Sequence, residues 1–253
     1  MYYEQAGFGA RFEWGVDGVR RLAPASDVVV IVDVLSFSTC VDVAVARGAV
    51  VFPYHWRDGS AERFAHEQNA LLAVSRGETT AERPYSLSPP SLATLPPDAR
   101  LVLPSPNGST LAALAADSGA RVIAGCLRNA SAVATAARSL GDVVTVIAAG
   151  ERWDGDDEPL RPAVEDLIGA GAILAALRPT TPSPEAIAAI AAFAAVAADP
   201  LAFIAACGSG RELTEAGYAD DVIMAAQRDV SATVPLLRDG AFTHFSDDHA
   251  PVV

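Results

Sequence analysis

Two patterns alternate along this chain: short unbroken aliphatic runs, and longer stretches whose apolar residues return every third or fourth position. Val28 to Val32 is the clearest run, β-branched throughout, as a strand buried on both faces of a parallel sheet reads. From Thr39 to Arg47 the apolar positions Val41, Ala44 and Val45 recur at helical spacing, so the polar stretch from Asp33 to Thr39 joins a strand to a helix. The same grammar returns three times. LVL at 101–103 passes through PSPNGST at 104–110 into a helix over Leu111 to Ala116. RVIAG at 121–125 passes through CLRNAS into a helix over Ala130 to Arg138. VVTVIAA at 143–149 passes through GERWDGDDEPLRPAVED into a helix from about Leu167 to Leu177.

Such alternation predicts βαβ units and a largely parallel sheet, whose right-handed crossovers bring the carboxyl ends of the strands to one edge. Ligands of open α/β sheets bind at that edge. The residues expected there are Asp33 with the hydroxyls of Ser36, Ser38 and Thr39, the turn Asn107-Gly108-Ser109-Thr110, Asn129, and the acids Glu151, Glu165 and Asp166. Each has a plain structural reading. Ser38 or Thr39 caps a helix while Asp33 bonds backbone amides, Asn107-Gly108 makes a turn, and Glu165-Asp166 complements a helix amino terminus. Taken together they point to metal and phosphate. Hard carboxylate oxygens suit Mg²⁺, which takes one or two of them and keeps several waters, and the turn at a helix start offers donors to phosphate oxygens. Phosphoryl transfer needs charge neutralisation and positioning of this kind.

Further along, the proline-rich RPTTPSP at 178–184 introduces a helical carboxyl-terminal portion from about 184. The segment 208–240 predicts two short helices, the second starting at Asp220-Asp221. Arg211 reads more readily as a surface ion pair than as an anion ligand, and HFSDDH at 244–249 as a solvated tail,. No GxGxxG follows any strand, which removes a dinucleotide site of the usual kind.

Composition narrows the chemistry. The 253 residues are 51% hydrophobic and 19% charged, enough for a large folded core,. A net charge of −13 excludes a phosphate-tracking nucleic-acid surface,. All 18 basic side chains are arginine, so no Schiff-base lysine and no GxxxxGK[ST] loop exists. Cys40, Cys126 and Cys207 are far apart, without zinc spacing or a CxxxxxR phosphatase motif, and their odd number suits a reduced cytoplasmic protein,. The amino terminus lacks the pattern of a signal peptide. The apolar run at 186–198 is 13 residues long, too short to span a bilayer,. A soluble cytoplasmic protein without membrane partner is expected, its partner a small anionic phosphorylated substrate; a homo-oligomer stays open.

Five segments in order, VVVIVDVLSFST, SPNGST, GCLRNASAVA, VEDLIGAGAIL and GRELTEAGYADDVIMAAQRDVSATVP, resemble the 2-phosphosulfolactate phosphatases, the ComB-like proteins, over nearly the whole chain. The resemblance implies a single domain over 1–253 with a three-layer α/β/α fold and a mixed, largely parallel sheet. It also implies Mg²⁺-dependent hydrolysis of 2-phosphosulfolactate to 3-sulfolactate and phosphate, a step toward coenzyme M. Carried over, the family's strand-end acid falls on Asp33, its hydroxyl turn on Asn107 to Thr110, its asparagine turn on Asn129 and its Glu-Asp helix start on Glu165 and Asp166. Asp33, Glu165 and Asp166 are then the catalytic and metal-holding acids, with Glu151 as a further metal ligand. The chain departs from the family at Ser36, where arginine is common, at Val74 to Glu78, where Gly-Glu-Arg-Gly-Gly is usual, and at Leu87, where asparagine is. Arg76 is the expected replacement cation. Two alternatives remain: an aspartyl-phosphate mechanism of the haloacid-dehalogenase type, whose second aspartate is replaced here by Leu35 and whose lysine is absent, and an anion-binding or regulatory module of the same fold without activity.

Overall fold

The computed structural model describes residues 2–55, 59–153 and 159–246. The chain begins with β1 (Ala10–Trp14) and α1 (Gly15–Leu22), then β2 (Val28–Val32) with α2 (Phe37–Ala46) and β3 (Val50–Tyr54) with α3 (Gly59–Glu67). A short β4 (Leu71–Leu72) and the single turn α4 (Pro89–Leu92) precede β5 (Arg100–Pro104) and α5 (Gly108–Ala116). β6 (Arg121–Gly125) leads into α6 (Ala130–Leu140); β7 (Val144–Ala148) is followed by the two-residue strands β8 (Glu151–Arg152) and β9 (Leu160–Arg161) and by α7 (Val164–Leu177). Four helices follow, α8 (Pro184–Val196), α9 (Pro200–Ala206), α10 (Gly208–Glu215) and α11 (Ala219–Ala225), then β10 (Pro235–Arg238) and β11 (Ala241–His244).

The strands predicted from aliphatic runs are β2, β5, β6 and β7, and each is followed by its predicted helix. The alternation within β2 shows why the fold has three layers. Val28, Val30 and Val32 pack with Val133, Ile168 and Ile173 of α6 and α7, while Val29 and Ile31 pack with Val19, Val41 and Leu111 of α1, α2 and α5. Both faces of the strand are covered, so no polar position survives within it.

Nine strands form one mixed sheet in the order β1-β7-β2-β6-β10-β11-β3-β5-β4. β1, β7, β2 and β6 are mutually parallel, as are β3, β5 and β4; the β10–β11 hairpin lies between the two groups and is antiparallel to both neighbours. The portion expected to be helical from about 184 holds α8 to α11, and only after α11 does the chain leave that pattern and return to the middle of the sheet as this hairpin. Its signal is in the sequence: Asp239 and Gly240, both at positive φ (50° and 78°), form the Asp-Gly turn that favours hairpins because its twist matches that of the strands. By pairing alone, the two parallel groups run in opposite senses and their carboxyl ends would lie at opposite edges. They meet nonetheless: Asp33, after β2, and Gly108, after β5, are joined by a hydrogen bond of 3.0 Å.

α8 and α9, the apolar stretch before and after Asp199-Pro200, bend by 104° at their junction, and no single helix among the described residues is long and apolar enough to cross a membrane. His244 belongs to β11, where Nδ1 accepts the Val234 amide at 3.2 Å; Asp247, Asp248 and His249 lie outside the described residues.

Candidate active site

Asp33 follows β2 directly and is 6% exposed. Its Oδ1 accepts the amide of Phe37, the first residue of α2, at 3.0 Å, and its Oδ2 accepts the amide of Gly108, the first residue of α5, at 3.0 Å. One carboxylate thus ties together two helix starts from the two parallel halves of the sheet. Gly108 is needed for that approach: a Cβ there would stand 2.2 Å from the Phe37 ring and 2.8 Å from Asp33 Oδ2. Burial first, then the nearby charge of Glu151, pushes the Asp33 carboxyl up to about 7.

A cavity of about 260 Å³ opens at this point, lined by Asp33, Leu35, Ser36, Arg76, Leu87, Asn107 and Glu151, with Ser105 and Pro106 beside them. Its remaining wall is α10, through Ser209, Glu212 and Leu213. Asn107 Nδ2 donates to Glu151 Oε2 at 3.0 Å, and burial raises the Glu151 carboxyl above its ordinary value. Arg76 sits in a short helical turn, Arg76–Glu78, closed by a reciprocal cap between Ser75 and Glu78.

The other predicted acids lie near the cavity but not on its wall. Asp166 accepts the Val34 amide at 2.7 Å on Oδ1 and the Gly150 amide at 2.9 Å on Oδ2, so it braces the segments after β2 and β7 against each other. Burial, then the charges of Asp33 and Glu165, lift its carboxyl well above the usual range. Glu165, 2% exposed, accepts the thiol of Cys207 at 3.4 Å. The thiols themselves are poor nucleophiles. Burial pushes Cys207 up to about 11 and Cys126 to about 12, and raises Cys40 as well, so all three stay protonated at neutral pH.

Five hydrogen-bonding groups expected to meet the substrate are committed to the backbone instead. Ser38 Oγ donates to Ile31 O and accepts the Asp33 amide; Thr39 Oγ1 donates to Val34 O; Ser109 Oγ donates to Leu103 O; Thr110 Oγ1 donates to Pro106 O. Asn129 accepts the Cys126 amide and donates to Thr233 O, fully buried. None of the five is on the cavity wall. Short polar side chains at a strand–helix turn reach their own backbone before they reach a ligand. The Gly108 amide, likewise, is turned to Asp33 and not to the cavity. Arg211 forms its ion pair with Glu215 at 3.4 Å on the surface of α10.

Ser105, Ser209, Glu212 and Leu213 escaped the sequence reading. Ser105 belongs to the quoted PSPNGST turn and could have been included; the α10 residues carry no local signal, because their place depends on how that helix folds back over the strand ends.

The fit of a divalent cation rests on the charge here. Asp33, Glu151, Glu165 and Asp166 influence one another electrostatically, and among the described residues the cavity wall carries Asp33, Glu151 and Glu212 against Arg76. A cation relieves that excess. Among the described residues no three acidic, histidine or cysteine side chains converge to enclose a metal.

A sequence model of the family described as 2-phosphosulpholactate phosphatase matches residues 18–240. With the α/β fold and an acid-lined cavity, that match places the chain among the phosphoric-monoester hydrolases. The chain belongs to the 2-phosphosulfolactate phosphatase family. A relative of that name from Methanothermobacter thermautotrophicus is 30% identical over 216 residues, covering 85% of this chain and 88% of its own.

Proposed function

We propose that this chain hydrolyses 2-phosphosulfolactate, or a closely related small phosphorylated acid, to the hydroxy acid and phosphate, with Mg²⁺ as cofactor. The observation that carries the reading is the cavity in which Asp33 and Glu151 share a wall with Arg76. Asp33 and Glu151 would hold the ion, with water as its other ligands; Glu165 and Asp166 supply negative charge from behind. Bound there, Mg²⁺ would neutralise charge on the phosphoryl oxygens. Water attacks phosphorus, the bond between phosphorus and the ester oxygen breaks, and that oxygen leaves as the hydroxyl of the product. Asn107 keeps Glu151 in place, and Asp166 fixes the two turns that border the cavity. Direct attack by water is preferred to an aspartyl phosphate, because Leu35 stands where that mechanism has its second aspartate and the chain has no lysine; each Asp33 oxygen accepts one amide hydrogen and keeps a lone pair for the ion.

Phosphate release from 2-phosphosulfolactate, measured in chelator and after Mg²⁺ is restored, tests the cofactor. Release is expected to vanish and return; full turnover in excess chelator rules the ion out. Asp33→Asn is expected to lower kcat about 10²-fold or more while circular dichroism stays native, since an amide keeps the shape but not the charge. An active but less stable Asp33→Asn would leave Asp33 as a helix cap and no more.

A further inference from the structure

The α10 wall of the cavity is held from outside its own helix. Ser209, Glu212 and Leu213 line the cavity, and positions three and four apart share one side of a helix. Whatever fixes Ser209 therefore also fixes how α10 presents Glu212 and Leu213. Arg161 of β9 does this, its Nη2 donating to Ser209 Oγ at 3.1 Å. Ser209 is 6% exposed, and a bond from a charged donor is stronger than one between neutral groups. The other anchor at the start of α10 is weaker, the thiol of Cys207 on Glu165 at 3.4 Å.

Arg161 is not itself on the cavity wall. It stands at the junction of two elements that are. Across the two-residue ladder of β8 and β9 it is paired with Glu151, and side chains paired in this way stand side by side on one face. Its charge acts on that of Glu151. Its central carbon lies 6.0 Å from the centroid of the Trp153 ring, within reach of a cation–π attraction that restrains the guanidinium further. One side chain thus joins the hairpin that carries Glu151 to the helix that carries Glu212 and Leu213.

We propose that Arg161 is a positioning residue: by holding Ser209 it locks α10 against the β8–β9 hairpin, and this lock gives the cavity the dimensions that select a small substrate. The inference rests on the phosphatase reading above for its substrate, and adds a residue that sets the fit of the cavity of about 260 Å³ without touching what binds there.

Two measurements test it, one of which needs no turnover. Hydrogen exchange of the full chain without added Mg²⁺, read by mass spectrometry, reports how firmly α10 is held. In Arg161→Ala and in Ser209→Ala, amides of residues 208–215 are expected to exchange about 10-fold faster, with those of α6 unchanged. In steady-state kinetics both variants should raise KM for 2-phosphosulfolactate about 10-fold with kcat within about threefold of the wild type, the loss of one charge-assisted bond. KM for the bulkier p-nitrophenyl phosphate should not rise. Arg161→Lys, which keeps a charged donor, should recover most of the loss, and Arg161→Ala/Ser209→Ala should be no worse than either single variant, as for two residues that act as one unit. Unchanged exchange over 208–215, equal KM losses for the two esters, or single losses that multiply in the double variant overturn the proposal. If Arg161→Ala does not fold, Ser209→Ala, which removes a single oxygen, decides alone. If the wild type hydrolyses neither ester, the phosphatase reading fails by itself; the Arg161 lock then stands if exchange over 208–215 quickens in the variants and falls if it does not.

Discussion

Arg76 with Asp221 and Arg128 with Asp42 are chemically the same ion pair, at 2.8 Å and 3.0 Å, and each buries its aspartate almost completely. They differ in where the rest of the guanidinium goes. Arg128 adds bonds to Met224 O and to the Gln227 side chain, and Asp42 accepts Ser231 Oγ at 2.6 Å. That pair ties the middle of α2 to the end of α11 and to the segment entering β10. Arg76, by contrast, keeps donors directed at a cavity. Ion-pair distance and burial of the acid are alike in the two pairs; the fate of the remaining N–H groups is not.

Removing one partner of the sealed pair should have the largest effect on stability. Arg128→Ala leaves Asp42 charged and buried, and the unfolding free energy in urea is expected to fall by about 3–5 kcal/mol. Replacing both members with apolar residues, Asp42→Leu with Arg128→Met, should recover most of that loss. Failure to recover would mean that the pair specifies the α2–α11 contact and does not merely satisfy itself.

Arg76→Ala should cost less, about 1–3 kcal/mol by the same measurement, because water entering the cavity can solvate Asp221. A loss as large as that of Arg128→Ala would erase the distinction between the two pairs.

The smallest expected effect is in pH dependence. Burial raises the Asp42 carboxyl above its ordinary value, against the opposing bonds from Ser231 and Arg128. A folded-state value above the unfolded one means that the native protein holds the proton more tightly. The stability contributed is therefore complete below the ordinary aspartate range and is lost as pH rises through the raised value. Urea midpoints across that interval should fall more steeply with pH for the wild type than for Asp42→Asn. Parallel slopes would show that Arg128 compensates the charge fully.

How much of this was legible in the sequence depended on whether a residue's role is local. Val28 to Val32 announced a doubly covered strand because both faces must be apolar, and Asp33 stood out as the first polar residue after it. The aliphatic strands β5, β6 and β7 were legible for the same reason. Arg76 was reached through a family pattern, and the structure sets it beside Ser36. The hydroxyls of Ser38, Thr39, Ser109 and Thr110 misled because a polar turn looks the same whether its side chains face a ligand or fold back on the main chain. α10 was unreadable as a wall of the cavity, and Asp221 as the partner of Arg76, since only the packing of the late helices brings them there. The β10–β11 hairpin had a readable turn at Asp239-Gly240, but Val234 to Leu237 was absorbed into the preceding helical pattern.

That hairpin has a consequence for how the protein is made. β6 and β3 are paired through β10 and β11, in contacts such as Leu236 with Ile123 and Phe242 with Val51. During synthesis, residues 235–244 emerge after every other described strand and helix. Until then the two parallel halves end in bare strand edges, the kind that recruits other chains. Closing the sheet also brings together partners far apart along the chain, which slows folding. The nascent polypeptide is thus exposed longest at the seam on which the meeting of Asp33 and Gly108 depends, and a product terminated before residue 235 is expected to aggregate before it can act as a weakened enzyme.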